Sequence, residues 1–214
     1  METFAADSSN GVATRVFTTA RGTVVYMVDT NEKDPHVGSR VRMEAARFLD
    51  RSEHQESELA HVITALDKHL LVDVSGRQGV KGAAASVFLG LIAPPFLQLA
   101  FVGEIRTHVL DAMGRVVFAT HEHNVFCSYP ESVWRGKYSE HEAQQTILGV
   151  VGGGNAIVES RLIPQMDSGS LIVMSHQVHR HRAIQTYAAD LSRMVADYSR
   201  PATKSAEGLT VVSW

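Results

Sequence analysis

Two runs rich in β-branched and apolar residues open the chain and predict a pair of β-strands. They cover residues 12–20 and 23–29, and Arg21-Gly22 lies between them. Because glycine tolerates the backbone conformations that a tight turn requires, the two runs are expected to form a β-hairpin.

Apolar positions at helical spacing follow this hairpin and predict two helices. The first is introduced by Gly38-Ser39, with Ser39 as the expected N-cap, and its apolar face ends at Leu49. The second runs from about Glu53 to about Leu71 and carries its apolar residues on one stripe, with charges elsewhere. The first third of the chain is therefore predicted to be a strand pair followed by two helices.

The middle of the chain carries the strongest β-strand pattern. Residues 83–92 are almost continuously apolar, as in a strand that is buried on both faces. Residues 97–109 alternate between apolar and polar, a turn falls at 111–114, and a β-rich run covers 115–120. Runs of this kind on both sides of a glycine-containing turn predict a β-hairpin.

The last third of the chain is predicted to hold further strands and two helices, of which the second has the clearest amphipathic pattern. The predicted segments, in chain order, are a helix from Ser139, strands at 156–166 and 170–175, a helix at 184–198, a polar linker at 201–208 and a closing strand at 209–214.

The composition is ordinary and excludes several functions. The chain of 214 residues has a net charge of -3 and no basic stripe, so nucleic acid is not an expected partner. Its single cysteine, Cys127, fits a reducing compartment and a small apolar role. The N-terminal residues lack the features of a signal peptide, and the apolar run at 83–97 is too short to span a membrane. We therefore expect a cytoplasmic protein without membrane contact.

Histidine is unusually frequent, with eleven in the chain. His179 and His181 are expected to be exposed, whereas His176 would share a helix face with His179. His121 and His123 follow a strand and, by alternation, are expected to point to opposite faces. No spacing typical of a zinc site is present. The glycine run at 152–154 lacks the Gly-x-Gly-x-x-Gly or Gly-Lys-Ser/Thr pattern of a phosphate-binding loop and is expected to be a turn.

Several segments resemble, in order, the motifs of the metal-dependent phosphatase 2C family. Residues 100–106 resemble its strand Ala-x-Val-Gly-Asp-Ser-Arg, with Glu104 at the aspartate, and Thr120 and His123 match its Leu-Thr-x-Asp-His. Further similarities lie at Val28-Asp29 with His36 and Gly38, at 82–85, at Leu148-Gly149, at 169–176 and at 205–212. The resemblance implies an α/β fold, an α-β-β-α sandwich of two antiparallel sheets flanked by helices, in one phosphatase 2C-like domain over residues 1–214.

The same resemblance implies where metal ions would bind and shows that most ligand positions are substituted. Family members hold two divalent cations that activate a water for attack on a phosphoserine or phosphothreonine. Asp29 matches the metal-bridging aspartate, whereas His176 and Glu207 replace two further aspartates. Glu104 matches a carboxylate near an accessory metal, although a structural pair with Arg106 is the alternative interpretation. Thr30 replaces a glycine ligand, and no carboxylate stands near residues 10–12, where the family has a Glu-Asp pair.

These substitutions leave two hypotheses. The first is a pseudophosphatase that acts in signalling as a regulatory or protein-binding module, with a protein partner such as a phosphoprotein and with no bound cofactor. The second is a divergent phosphoserine/phosphothreonine phosphatase. It would use Mn, Mg or Zn in a single site formed by Asp29, His176 and Glu207, with Glu104 nearby as an accessory ligand.

Overall fold

The computed structural model describes residues 4–7, 11–30, 35–51, 58–72, 84–154, 156–180, 202–206 and 208–214. In these ranges the chain forms two antiparallel β-sheets and several helices. The strands are β1 (Phe4–Asp7), β2 (Val12–Thr19), β3 (Gly22–Asp29), β4 (Ser86–Ala93), β5 (Phe96–Val102), β6 (Arg106–Asp111), β7 (Val116–Ala119), β8 (Glu159–Ile163), β9 (Gly169–Met174), β10 (Ala202–Ala206) and β11 (Leu209–Ser213). The helices are α1 (Pro35–Arg51), α2 (Leu59–Leu70), α3 (Val125–Ser128), α4 (Glu131–Trp134), α5 (Glu140–Gln145) and α6 (His176–Arg180).

Strands that are neighbours in the sequence do not always belong to the same sheet. The first sheet has the strand order β1-β2-β3-β4-β5-β8, and the second has the order β10-β11-β9-β6-β7. Every strand pairing is antiparallel. The chain passes from the first sheet to the second at residues 103–105, which join β5 to β6.

The main apolar core lies between the two sheets. Phe88, Leu99 and Phe101 of the first sheet cluster with Val109 and Leu171 of the second, and all five are fully or almost fully buried. A second cluster joins the outer face of the first sheet to the apolar stripes of α1 and α2. Alternate residues of the central strands can face opposite cores because side chains alternate along a strand. The predicted α-β-β-α sandwich is therefore confirmed.

The segment at 97–120 is not the single hairpin that the sequence predicted. β6 and β7 pair around the turn at 111–114, as expected, but β5 belongs to the other sheet. The break occurs at Gly103, whose φ of +91° favours glycine. A Cβ on Gly103 would lie 2.2 Å from Oγ of Ser86, so only glycine allows the two strands to approach here.

Other boundaries also differ from the prediction. α1 begins at Pro35, so Ser39 lies inside the helix and is not its N-cap; proline is well suited to the first helical position. The expected linker at 201–208 instead contains β10, whose backbone pairs with β11. Residues 184–198, where the last long helix was predicted, lie outside the described residues.

Asp67 of α2 fixes the glycine-rich loop at 152–154. Its Oδ1 accepts hydrogen bonds from the backbone nitrogens of Gly152 at 2.6 Å and Gly154 at 2.9 Å, and its Oδ2 accepts one from Ala156 at 2.9 Å. Asp67 is 2% exposed, and its carboxylate accepts hydrogen bonds from the backbone N–H groups that a bound phosphate would otherwise need. The loop is therefore a structural turn, consistent with its sequence.

No helix in the described ranges is long and apolar enough to cross a membrane.

Candidate functional site

Three residues from different strand ends meet at one edge of the sandwich. Asp29 is the last residue of β3, Glu104 follows β5, and His176 begins α6 directly after β9. Together with Ser86 and Val150 they line a cleft of about 110 Å³. Three of the four metal-site positions that the sequence analysis singled out therefore lie in one cleft, and the fourth, Glu207, lies outside the described residues.

Ser86 places Glu104 in the cleft. Ser86 pairs with Asp29 across β3 and β4, and its Oγ accepts a hydrogen bond of 2.9 Å from the backbone nitrogen of Glu104. The close approach at Gly103 makes this bond geometrically accessible. Glu104 is 2% exposed, and carboxylates are rarely buried to this extent unless they are paired.

His176 contacts both acidic residues. Its backbone nitrogen donates a hydrogen bond of 2.8 Å to Oδ2 of Asp29, and its ring Nδ1 lies 2.7 Å from Oε2 of Glu104. The ring contact is close enough for an ion pair, but its angles do not meet those of a hydrogen bond. The contact is therefore an ion pair whenever the His176 ring carries a proton on both nitrogens, and its charge then compensates the buried carboxylate of Glu104.

Asp29 is a weakly acidic carboxyl group in this setting. Burial raises its pKa to about 6, and the negative charge of Glu104 acts in the same direction. The hydrogen bond from His176, the charge of that residue and the charge of Arg42 oppose the shift. With a pKa of about 6, this carboxylate is largely ionised at neutral pH, because the hydrogen bond from His176 and the charge of Arg42 limit the effect of its desolvation.

Arg42 of α1 supplies one of these positive charges. Its NH1 donates a hydrogen bond of 2.9 Å to Oγ1 of Thr30, the residue directly after Asp29. Oγ1 of Thr30 in turn donates to the backbone oxygen of Gly11 at 3.2 Å. A guanidinium thus lies near the segment where the family has the ligands of its second cation, beside the substituted positions Thr30 and Gly11.

His179 packs next to His176. It is not exposed, contrary to the prediction. Its side chain is 6% exposed, Nε2 lies 2.9 Å from the backbone oxygen of Glu104, and Nδ1 lies 3.3 Å from Oε1 of Glu122. The predicted common helix face is confirmed, because the rings of His176 and His179 are 5.6 Å apart. Burial lowers the pKa of His179, whereas the two oxygen atoms favour its protonated form. His181 lies outside the described residues.

The described residues of the cleft do not fit a two-metal centre. The carboxylates of Asp29 and Glu104 are already contacted by His176, and no carboxylate of the described residues stands at the position of the family's early Glu-Asp pair. Asp29, Glu104 and His176 are also not a set whose ligand atoms all lie within 4.8 Å of one another. A divalent cation would therefore require His176 to release Glu104.

A different set of side chains does meet that distance limit. His121, His123 and Glu159 are the one such group within the described ranges, and they lie outside the cleft. Nε2 of His121 and Nε2 of His123 lie 3.0 and 3.2 Å from the same oxygen, Oε1 of Glu159. The prediction that the two histidines face opposite ways was wrong, because β7 ends at Ala119 and the next residues do not keep a strand's alternation.

Sequence reasoning missed this convergence because Glu159 is remote in the chain. The pairing of β5 with β8 sets Glu159 opposite Phe101, and the Phe101 ring lies beside both imidazoles. Only the strand order of the first sheet brings the three groups together, and no local sequence pattern carries that information.

No family model and no curated protein sequence matches this chain. Solved structures of bacterial serine/threonine phosphatases, by contrast, match it over almost its whole length. PppA from Pseudomonas aeruginosa, described as a key regulatory component of T6SS, is 12% identical with a TM-score of 0.63, and the match covers 100% of this chain and 96% of PppA. The S. agalactiae serine/threonine phosphatase is 16% identical with a TM-score of 0.66, covering 99% of this chain and 98% of that one.

The catalytic domain of the serine/threonine protein phosphatase PstP, solved in complex with 2 manganese ions, is 14% identical with a TM-score of 0.63. That match covers 99% of this chain and 95% of PstP's chain. Identities this low establish the fold alone. The chain has the phosphatase 2C-type fold that its motifs predicted.

Proposed function

We propose that this chain with a phosphatase 2C-type fold is a pseudophosphatase that acts as a regulatory, protein-binding module. The support is that His176 contacts both acidic residues of the cleft, Asp29 and Glu104, and that Arg42 lies beside Thr30, a position where the resemblance implies a metal ligand. The proposal concerns what the cleft binds, and it assigns no hydrolytic step to the chain.

The contact between His176 and Glu104 carries this proposal. A hydrolytic site of this kind needs a metal ion that lowers the pKa of a bound water and so generates a nucleophile at neutral pH. An imidazolium can compensate the charge of Glu104, but it has no open coordination position for water. With Nδ1 of His176 2.7 Å from Oε2 of Glu104, the protein itself satisfies the acid that would attract an ion.

Arg42 adds a permanent positive charge near Asp29. A guanidinium is charged at every relevant pH, so it offers permanent compensation near Thr30. Arginine also binds phosphoryl groups well, because its N–H groups match the geometry of their oxygens. A phosphorylated segment of a partner protein is therefore the ligand class that we propose, with Arg42, which contacts Thr30 next to the cleft residue Asp29, as its cation, and it would be bound without being cleaved.

The regulatory part of the proposal is supported by analogy. PppA, which shares this fold over 96% of its own chain, is described as a regulatory component of a secretion system. This description belongs to PppA, and it shows only that the fold is compatible with a regulatory role. A protein partner, with a phosphoprotein as the first class to test, is what we propose for this chain.

A divergent phosphatase is the second candidate, and one observation favours it. Asp29 and His176 are hydrogen-bonded neighbours that line the same cleft as Glu104, so carboxylate oxygens and an imidazole are at hand for one Mn, Mg or Zn ion. Glu207 would be the additional ligand. This function requires the His176 ring to leave Glu104 and to turn a lone pair toward the ion.

Hydrolysis of para-nitrophenyl phosphate separates the two candidates. The chain is treated with EDTA and assayed with Mn, Mg and Zn in turn, next to Asp29→Asn and an active phosphatase of the same fold. We expect no turnover above background with any metal. Metal-dependent turnover that Asp29→Asn abolishes would overturn the pseudophosphatase proposal and support the divergent enzyme.

Binding is tested separately with a library of phosphoserine and phosphothreonine peptides and their unphosphorylated counterparts. We expect selective binding of phosphorylated members, with an affinity reduced about tenfold or more by Arg42→Gln, because one phosphate-binding cation is removed. Arg47→Gln is the matched control, since Arg47 is an exposed residue of the same helix that pairs with Glu44. Equal binding of both peptide forms would contradict the phosphoprotein part of the proposal.

A further inference from the structure

We propose that His121, His123 and Glu159 bind a single transition-metal ion of the zinc type, at a site separate from the cleft. Two imidazoles and a carboxylate are a ligand set that such ions accept, with one coordination position left for water or another ligand. The proposal is independent of the function proposed for the cleft, which assigns no role to these three residues.

The distances are close to those of a coordinated ion. In a tetrahedral site with ligand bonds of about 2.0 to 2.1 Å, neighbouring ligand atoms are about 3.3 Å apart. Oε1 of Glu159 lies 3.0 Å from Nε2 of His121 and 3.2 Å from Nε2 of His123. The two rings are 5.5 Å apart between centroids. The ligand atoms would therefore move little to receive an ion.

The buried nitrogen of His123 is the second and independent sign of a ligand. His123 is 6% exposed, and its buried Nε2 has only a contact of 3.2 Å with Oε1 of Glu159, whose angles do not meet those of a good hydrogen bond. A buried polar atom without a bonded partner is uncommon in native structures and commonly marks a missing water or ion.

The surroundings hold the three side chains in place. The ring of Phe101 lies 5.6 Å from the ring of His123 and 6.5 Å from that of His121. The backbone nitrogen of His123 donates to the oxygen of Gly103 at 3.1 Å, and its backbone oxygen accepts from Leu148 at 2.7 Å. A Cβ on Gly149 would lie only 3.2 Å from Nδ1 of His123. His123 is therefore fixed by backbone bonds and close packing.

The three side chains border a cavity of about 400 Å³, which could hold a fourth ligand. His121, His123 and Glu159 line this cavity together with Cys127, Tyr129 and Ile157. Tyr129 and Ile157 are exposed, so the cavity opens at the surface and gives an ion access from solvent. The exposed Arg161 reaches the other oxygen of Glu159 at 3.8 Å, which leaves Oε1 directed at the histidines.

One proton must move when the ion binds. Nδ1 of His123 accepts a hydrogen bond of 3.2 Å from the backbone nitrogen of Gly103, so in the neutral ring the proton resides on Nε2. Coordination by Nε2 transfers this proton to Nδ1 and removes the bond from Gly103. The tautomer of His123 is therefore a direct reporter of occupancy, independent of any enzymatic activity.

The test uses the full chain after EDTA treatment and dialysis, with ZnCl₂ titrated by calorimetry and CoCl₂ followed by visible absorption. We expect about one equivalent of zinc bound with a Kd below about 10 μM, and the absorption bands of four-coordinate Co²⁺. Nitrogen-15 NMR should show the proton of His123 on Nε2 without metal and on Nδ1 with zinc.

Four variants locate the ion. His121→Asn and Glu159→Gln should each weaken zinc binding at least about tenfold, because each removes one of three protein ligands. His121 is 49% exposed in its side chain, so His121→Asn is expected to fold, which circular dichroism verifies. His61→Asn, which removes an exposed histidine of α2, and Asp29→Asn, which alters the cleft, should leave zinc binding unchanged.

Three results of the zinc-binding measurements would overturn the proposal. They are wild-type zinc binding weaker than about 100 μM, unchanged binding in both His121→Asn and Glu159→Gln, or loss of binding in Asp29→Asn alone. An unchanged His123 tautomer at saturating zinc would overturn it as well, because coordination by Nε2 requires the proton to leave that atom.

Discussion

Nδ1 of His176 lies 2.7 Å from Oε2 of Glu104, a carboxylate that is 2% exposed. This pair joins the first residue of α6 to the crossing point between the two sheets. A metal-dependent phosphatase would use such a carboxylate to attract a cation, whereas in this chain an imidazole is already beside it.

The substitution His176→Asp should restore attraction for a divalent cation. It removes the imidazole and places a third carboxyl group beside Asp29 and Glu104, so the metal-free variant should be less stable by about 3 kcal/mol, because buried acids lose their compensation. Added MnCl₂ should raise the Tm of the variant but not that of the wild type, as thermal unfolding followed by circular dichroism would show. A variant whose Tm does not respond to manganese would show that His176 is not what keeps cations out of the cleft.

Asp29 should make the metal-free chain more stable as the pH falls. Its pKa of about 6 in the folded chain exceeds its ordinary value of 3.8, so the folded chain binds this proton more tightly than the unfolded chain does. The stabilisation is complete below about pH 4 and is lost as the pH rises through about 6. Asp29→Asn should remove this dependence and increase the free energy of unfolding at neutral pH by about 2 kcal/mol.

Urea unfolding of EDTA-treated protein at several values between about pH 4 and 8 measures this effect. The comparison between Asp29→Asn and wild type isolates the contribution of one carboxyl group from all others. A difference between the two proteins that does not change with pH would contradict the shifted pKa.

His108 of β6 should have the opposite effect on the pH dependence of stability and make the chain less stable as the pH falls. Burial lowers its pKa to about 4 from 6.5, and the charge of Arg106 adds to the shift. The unfolded chain therefore takes up the proton first, and stability is lost as the pH falls from about 6.5 to about 4. In His108→Gln the decrease in the free energy of unfolding on acidification should be smaller by about 2 kcal/mol, as urea unfolding at the same pH values would measure. If His108→Gln and wild type lose stability in parallel on acidification, His108 is not the group responsible.

Asp67→Asn should destabilise the fold, because an amide keeps only one acceptor oxygen for the backbone nitrogens of Gly152, Gly154 and Ala156. We expect a decrease of about 2 to 4 kcal/mol in the free energy of unfolding. Asp111→Asn is the matched control, since Asp111 bonds Arg115 and Met113 in an exposed turn, and its effect should be far smaller. Equal losses in the two variants would mean that Asp67 does not hold the loop.

Gly103→Ala should be among the most harmful single-methyl additions in the chain. The new Cβ would lie 2.2 Å from Oγ of Ser86, on a backbone with a φ of +91°. The free energy of unfolding should fall by about 2 kcal/mol or more. Gly136→Ala is the control, because a Cβ there has no neighbour within 4 Å and should change stability little. A mild effect at Gly103 would show that β4 can yield to the added methyl group.

Patterning predicted most strands and both layers of the sandwich, because continuous apolar runs and alternation report directly on burial. β10 was not predicted, because its sequence, ATKSA, contains no run of large apolar residues, and the strand is recognised by its pairing with β11. Edge strands of this kind carry polar residues and lysine, which sequence patterns assign to linkers.

Sequence motifs predicted which residues line the cleft, but not the contacts that these residues make with one another. Asp29, Glu104 and His176 do meet, as collinear resemblance to one family implied, yet the pairing of His176 with Glu104 depends on atomic distances that no motif contains. The group at His121, His123 and Glu159 could not be predicted at all, because it depends on which strand lies beside β5.

The crossing at Gly103 has a mechanical consequence. Asp29 belongs to the first sheet, His176 follows a strand of the second, and Glu104 lies on the chain segment that connects them. The spacing of the two sheets therefore sets the lengths of the contacts that His176 makes. A partner that increases the separation of the two sheets would lengthen the contacts of His176, even if it bound far from the cleft. A partner that decreases this separation would shorten them.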